Sequence, residues 1–216
     1  MEQSVLVTGA ARGIGRAIAV ACAARGANVA INYLSNGEAA EETAALAWKA
    51  GAADVLVQQA DVADGPAVRA LADTLGERWG KLDVVVNNAG FGCAGRLMDL
   101  DEAAWDRAFA THLKGAFHVC RSTVPLLEKG VDPCILNLSS VAGLRGLPAA
   151  IAYATVKGAL LQFTRCLAWE LADQGIRVNA LCPGIIRTDF HAAISSAIKT
   201  RIKTGDGVHS TANKGE

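Results

Sequence analysis

The chain has 216 residues, 51% of them hydrophobic and 19% charged, with a formal net charge of zero. That length suits one medium domain with a sizeable core, and the balanced charge excludes the basic excess that a nucleic-acid or anionic-membrane partner calls for. The cysteines Cys22, Cys93, Cys120, Cys134, Cys166 and Cys182 form no CxxC or other metal-ligand pair, and read as small hydrophobes of a reducing compartment.

Only VLV precedes Thr8 and Gly9, too short an apolar run for a signal segment or a membrane span. A soluble cytoplasmic protein without metal, nucleic-acid or membrane partners is the expectation. β-type runs then alternate with helical patterns. SVLVT (4–8) leads into a helix over 13–26, NVAINY (28–33) into one over 37–51, and DVLVQQAD (54–61) into one that starts near Asp64 and ends near Gly80. Pro66 suits the first turn of that third helix. LDVVVNNAG (82–90) precedes a long helix from about Asp101 to Glu128; CILNLSS (134–140), a helix around Tyr153 and IRVNALCPG (176–184) follow.

Six strand signals separated by helices predict an α/β fold, a doubly wound parallel sheet of the Rossmann-like kind with helices on both faces. Functional groups are then expected at the carboxyl ends of the strands, near the switch in strand order. Leu113, Phe117, Cys120 and Val124, and likewise Leu160, Phe163, Leu167 and Leu171, keep helical spacing. Such stripes predict core faces, with a subunit interface as the other reading.

VTGAARGIG (7–15) follows the first strand and opens the first helix. Gly9, Gly13 and Gly15 allow a sharp turn and let a pyrophosphate approach the helix N-terminus, where the dipole favours negative charge. Its spacing is TGxxxGxG, and a plain tight turn is the other reading. Arg12 lies in this loop and NYLSN, at the end of the second strand, has no Asp or Glu for a ribose 2'-hydroxyl. A cation without a carboxylate favours a 2'-phosphate, hence NADP(H), with NAD(H) as the alternative.

IAYATVKGAL (151–160) places Tyr153 and Lys157 one helical turn apart. That interval alone also fits a solvated lysine beside a half-buried tyrosine. With TGAARGIG (8–15), Asp61-Val62, NNAG (87–90), Ser140, Tyr153xxxLys157 and Pro183-Gly184 leading to Thr188, however, the chain resembles the compact single-domain branch of the short-chain dehydrogenase/reductase family. The motifs run in the family's order from residue 4 to about 190, taken as the dinucleotide-binding and catalytic domain (1–190).

The resemblance implies a cofactor site of Gly9, Arg12, Gly13, Ile14, Gly15, Asp61, Val62, Asn88, Ala89, Gly90, Tyr153, Lys157, Pro183, Gly184, Ile186 and Thr188. Asp61 would accept from the adenine amino group, Asn88, Ala89 and Gly90 would wall the adenosine ribose, and Ile186 and Thr188 would hold the nicotinamide carboxamide. Asp61 at a helix entry and Asn88 in a turn also have ordinary structural roles.

An ordinary tyrosine has a pKa of about 10, so Lys157 is expected to favour its phenolate. Tyr153 would pass a proton to a carbonyl oxygen as hydride arrives, while Ser140 holds that oxygen. Lys157 would also bind the nicotinamide ribose. His112 stands where the family usually has asparagine, whose carbonyl anchors a water leading to the lysine; a histidine can keep that contact or add a titrating group.

The expected activity is NAD(P)(H)-dependent interconversion of a ketone and a secondary alcohol. Phe91, Cys93, Leu144, Leu147, Ile185 and Ile186 predict a mainly apolar rim, with Arg145 for a polar group; small ketones, sugars or polyols rank above acyl-carrier-protein substrates. After Thr188, FHAAISSAIKTRIK suits one short helix and TGDGVHSTANKGE has no strand pattern. Residues 191–216 are therefore expected to be a short helix and a disordered tail, the family's seventh strand missing and the sixth left as an edge. A homodimer or homotetramer through helices near 101–128 and 151–173 is expected. A shortened, non-catalytic dinucleotide-binding protein or partner subunit is the alternative.

Overall fold

The computed structural model describes residues 2–186. Six strands, β1 (Ser4–Val7), β2 (Asn28–Tyr33), β3 (Asp54–Gln59), β4 (Val84–Asn87), β5 (Cys134–Leu138) and β6 (Arg177–Leu181), form one sheet in the order β3-β2-β1-β4-β5-β6. Every neighbouring pair is parallel. The strands alternate with α1 (Gly13–Ala23), α2 (Gly37–Ala50), α3 (Gly65–Trp79), α4 (Glu102–Phe109), α5 (Gly115–Leu127) and α6 (Ile151–Glu170). The calls that fall on Thr188 and on 191–216 lie outside the described residues.

Both faces of the sheet are covered, so its central strands are apolar without alternation. Val5, Val7, Val29 and Ile31 pack with Ala19 of α1 and Ala40 of α2. Leu6, Val85 and Ile135 point the other way, to Leu71 of α3 and Val119 of α5, and Phe163 and Leu167 of α6 pack on that cluster. The helix ends follow local chemistry. Asn36 caps α2 by accepting from the Ala39 amide at 3.0 Å, while Gly51 and Gly80 end α2 and α3 in the left-handed region.

The predicted long helix is interrupted. One π-helical turn, Ala110–Lys114, joins α4 to α5. This extra turn shifts the buried face relative to a simple 3.6-residue count. The stripe predicted through Leu113, Phe117, Cys120 and Val124 is therefore corrected: Phe117 is 42% exposed, and Gly115, Ala116, Val119, Cys120, Thr123, Leu126 and Leu127 are the buried positions of α5. The same turn carries His112 into the interior.

At the amino end of the sheet the buried carboxylate of Asp83 ties three segments together. It accepts from the Ser4 amide at 2.7 Å, the Val131 amide at 2.6 Å and Lys81 Nζ at 2.9 Å. Burial alone pushes the carboxyl up, but the Val131 amide, Lys81 and the Ser4 amide outweigh it and hold it below its ordinary value. Such a group stabilises the fold above the ordinary carboxylate range and loses that contribution as pH falls through its lowered value. Asp83→Ala is expected to lower the unfolding free energy by about 3 kcal/mol, because it orphans two amides and a lysine. Urea unfolding at neutral pH measures the loss, and the gap to the parent should narrow in acid.

Candidate active site

The order reverses between β1 and β4, and the carboxyl ends of these strands open the crevice where ligands of such sheets bind. Thr8 ends β1 there. Its hydroxyl donates to the Val86 carbonyl at 3.2 Å and accepts from the Asn88 and Ala89 amides at 3.0 Å each. Asn88 Nδ2 donates back to the Thr8 and Gly9 carbonyls at 2.9 and 3.0 Å. Asn88, expected to wall a ribose, thus spends its side-chain amide holding the turn.

The turn is built for close approach. Gly9 and Gly13 have φ of +62° and +61°, in the region glycine enters at little cost. A Cβ on Gly9 would stand 2.8 Å from Ala89 Cα, and one on Gly15 2.6 Å from the Gly9 carbonyl oxygen. Ile14 packs against the Val5 and Val7 cluster and anchors the first turn of α1. That first turn has no acidic residue and no side-chain cap, so no carboxylate of its own compensates the amides at the helix N-terminus. Arg12 is the exposed N-cap and has no side-chain hydrogen bond or ion pair among the described residues. These features fit a dinucleotide pyrophosphate.

Asn32 and Arg16 position the turn and carry no signal in the glycine motif. Buried Asn32 accepts from the Gly9 amide at 3.3 Å and donates to the Ala60 carbonyl at 3.0 Å. Arg16 donates to the Ala11 carbonyl at 2.7 Å, the Ala39 carbonyl at 2.9 Å and Thr43 Oγ1 at 2.8 Å. The available clue to Asn32 is an amide that follows the apolar run Val29–Ile31 within the strand. Asp61 is exposed and one of its oxygens accepts from the Ala63 amide at 2.8 Å; Val62 beside it is buried.

The carboxyl ends of β5 and β6 bring the second group together. Ser140 Oγ accepts from the Ala142 amide at 3.1 Å and caps a short 3-10 turn, Val141–Gly143. Its hydroxyl also partners the Tyr153 phenol. Lys157 is buried and donates to the Leu138 carbonyl at 2.6 Å, with Nζ 5.8 Å from the centre of the Tyr153 ring. Ser139 Oγ donates to the Lys157 carbonyl at 2.8 Å, and Asn137 Nδ2 donates to Thr164 Oγ1 at 2.9 Å. These two polar bonds fix α6 to β5, so the lysine and tyrosine leave the helix at a set height. Pro183 accepts from the Val141 amide at 3.1 Å, joining the loop after β6 to Ser140; Gly184 and Ile186 are exposed in that loop.

The electrostatics differ from the expectation in one respect. Burial raises the Tyr153 phenol, only partly offset by its hydrogen bond to Ser140, so the proton stays on. Lys157 points its hydrogen bond at Leu138 and does not bring the phenol down. Burial pushes Lys157 itself down to about 8, with Cys182 opposing.

His112 is only 2% exposed. Its Nε2 lies 3.0 Å from the Phe91 carbonyl oxygen and 3.2 Å from the Phe91 amide, and its ring meets Tyr153 edge-on at 5.7 Å. A Cβ on Gly90 would overlap the imidazole, which explains glycine there in terms of this histidine. Burial and the Lys157 charge push His112 down to about 3, against the Phe91 bond. The imidazole is therefore neutral near physiological pH, which speaks against the second of the two expected roles, an added titrating group.

A doubly wound sheet with a glycine-rich turn at its switch point is a dinucleotide-binding architecture. The family model described as enoyl-(acyl carrier protein) reductase matches residues 9–211. The 3-oxoacyl-[acyl-carrier-protein] reductase FabG of Staphylococcus aureus is 41% identical over 204 residues, covering 94% of this chain and 82% of its own. Versicolorin reductase stcU of Emericella nidulans is 42% identical over 190 residues, 88% of this chain and 71% of its own. A crystal structure from Sinorhizobium meliloti, provisionally assigned as a short-chain alcohol dehydrogenase, superposes with a TM-score of 0.85 at 38% identity, over 95% of this chain and 80% of that one. The chain belongs to the short-chain dehydrogenase/reductase family, whose oxidoreductases use a nicotinamide dinucleotide.

Gly15→Ala is expected to weaken the binding of a nicotinamide dinucleotide, read as a smaller ligand-induced rise in melting temperature than the parent shows, because its methyl would displace the Gly9 carbonyl and Asn88. Thermal melts with and without NADPH test this.

Proposed function

We propose that the chain is an NADP(H)-preferring oxidoreductase that interconverts a ketone and a secondary alcohol, with Tyr153 moving the proton. The observation carrying this reading is the meeting of Ser140, Tyr153 and Lys157 at the carboxyl ends of β5 and β6, beside the phosphate-binding turn. When bound, the nicotinamide supplies or takes the hydride.

In the reducing direction the raised phenol suits a general acid, which must hold its proton until the carbonyl oxygen gains charge. Ser140 Oγ already accepts from the Ala142 amide, so its own proton can turn to that oxygen and stabilise the developing charge. Lys157, anchored on the Leu138 carbonyl, has two N–H groups left for Tyr153's surroundings and a ribose hydroxyl. Asp61 would take the adenine amino group, and Pro183, Gly184, Ile186 and Thr188 the nicotinamide carboxamide.

Arg12 supports the preference for a 2'-phosphate. It is exposed and unpaired among the described residues, the end of β2 offers Tyr33, Leu34 and Ser35 without a carboxylate, and Asn36 is occupied as a cap. The relatives' reductase names favour the reducing direction, and the exposed Val141, Leu144, Ile185 and Ile186 favour a ketone with apolar substituents. Exposed Phe117 on α5 and Trp169 on α6 support pairing of two copies along these helices.

Tyr153→Phe is expected to lower kcat about 1000-fold while the NADPH-induced rise in melting temperature persists. Turnover at the parental rate in this variant would sink the assignment. Arg12→Ala should weaken NADPH about tenfold and leave NADH unchanged, as titration calorimetry would register.

Reduction needs the Lys157 ammonium, which is present below about 8 and lost above it. The pH profile of kcat/KM should therefore decline as pH rises past that value, and Lys157→Met should be slow at every pH with no such limb.

A further inference from the structure

The helix that carries Tyr153 and Lys157 starts without a side-chain cap. Ala150 is the N-cap of α6, no acidic residue stands in the first turn, and the Ala154 amide donates to the Ala150 carbonyl at 2.8 Å. A helix end of this kind frays unless tertiary contacts hold it. Lys157 is held one turn beyond Tyr153, by Leu138. A Cβ on Gly143 would stand 2.7 Å from the Lys157 carbonyl carbon, so the 3-10 turn packs backbone to backbone at the same level. Tyr153 lies between that anchor and the uncapped end.

The segment between β4 and α4 (88–101) reaches this end. The Gly95 amide donates to the Ala149 carbonyl at 2.8 Å, and Gly95 pairs with Ala150 in an isolated parallel bridge. Ala149 holds φ at +53°, a left-handed conformation that costs any residue with a Cβ and persists where the surroundings fix it. A Cβ on Gly95 would stand 2.9 Å from Leu100 Cδ1, so the bare backbone there fits against the turn that follows it. Earlier in the same segment Phe91 meets His112, whose ring lies edge-on to Tyr153. One loop thus reaches α6 at its entry and, through the imidazole, at the phenol.

We propose that the bond between Gly95 and Ala149 is a strap that sets the entry of α6, and that these two residues are thereby positioning residues for the Tyr153 phenol. The strap on one side and the Leu138 bond to Lys157 on the other bracket the tyrosine. With the lysine alone anchored, the first turn would be free to unwind and to carry the phenol away from Ser140. The strap stands on geometry, whereas its effect on turnover rests on the role given to Tyr153 under the proposed function.

The chain has two tyrosines, Tyr33 and Tyr153, so carbon-labelled tyrosine gives two sets of ring signals by NMR, and Tyr33→Phe assigns them. Gly95→Pro removes the donor, while Gly95→Ala keeps it and asks only for a small shift of the Leu100 side chain. The Tyr153 signals are expected to move or multiply in Gly95→Pro and to stay at the parental positions in Gly95→Ala. Ala149 provides a second pair from the other side of the bond. Glycine accepts a positive φ and β-branched valine does not, so Ala149→Gly should keep the parental signals and Ala149→Val should lose them. In the parent the Gly95 amide should exchange with solvent far more slowly than an open loop allows. Parental Tyr153 signals in a folded Gly95→Pro or Ala149→Val protein, or free exchange at Gly95, would overturn the strap.

With NADPH and ethyl acetoacetate as the test ketone, Gly95→Pro is expected to lower kcat roughly tenfold at nearly parental KM, because a displaced proton donor slows the chemical step more than binding. A raised KM at parental kcat would make the bond a wall of the substrate crevice and overturn the positioning role. Full turnover in Tyr153→Phe would remove the functional reading and leave the strap to be judged by the ring signals and the exchange rate.

Discussion

A buried ammonium on the floor of the crevice is the constraint around which the site is arranged. Lys157 lies almost out of solvent, and burial drives its proton affinity down. An isolated charge there would be lost, so the surrounding chain must offer acceptors. The Leu138 carbonyl, at the last residue of β5, supplies the strongest. Because that carbonyl belongs to the sheet and the lysine to α6, their bond sets the depth of the helix, and with it the height of Tyr153 one turn earlier.

The polar pairs beside this bond act in the same direction. Ser139 holds the Lys157 carbonyl, and Asn87, Asn137 and Thr164 form a buried chain from β4 through β5 to α6. In the parallel register Asn87 lies opposite Asn137, so the two amides meet where an apolar pair would otherwise pack. Their directional bonds favour one register, since a slip would strand each amide in the core. The glycine-rich turn is held in a comparable way, by Thr8, Asn32 and Asn88 from neighbouring strand ends and by Arg16 from α1. Precise placement at both ends of the crevice thus comes from side chains behind the groups that face it.

The six parallel strands and the two covered faces were legible because each strand and helix is written locally, whereas the order of the strands in the sheet was not. Runs such as VLV and NVAINY, separated by helical patterns, leave few ways to fold other than a parallel sheet. The helix entry at Asp64, with Pro66 inside it and Gly80 at its end, was equally readable, since each residue acts within its own turn. The π-helical turn was not. An extra residue in a helical turn leaves the local hydrophobic pattern nearly unchanged, yet it exposed Phe117 and buried His112.

The sequence by itself determined the kind of molecule: an α/β chain whose glycine-rich turn, Ser140, and Tyr153 with Lys157 one helical turn away stand at strand ends. These are matters of spacing and residue type, which neighbouring atoms settle. Only the tertiary structure decided the electrical state of that group. Burial by elements distant in sequence keeps the phenol protonated, lowers the proton affinity of the lysine held on Leu138 and keeps the His112 imidazole uncharged, because desolvation depends on everything that surrounds a charge.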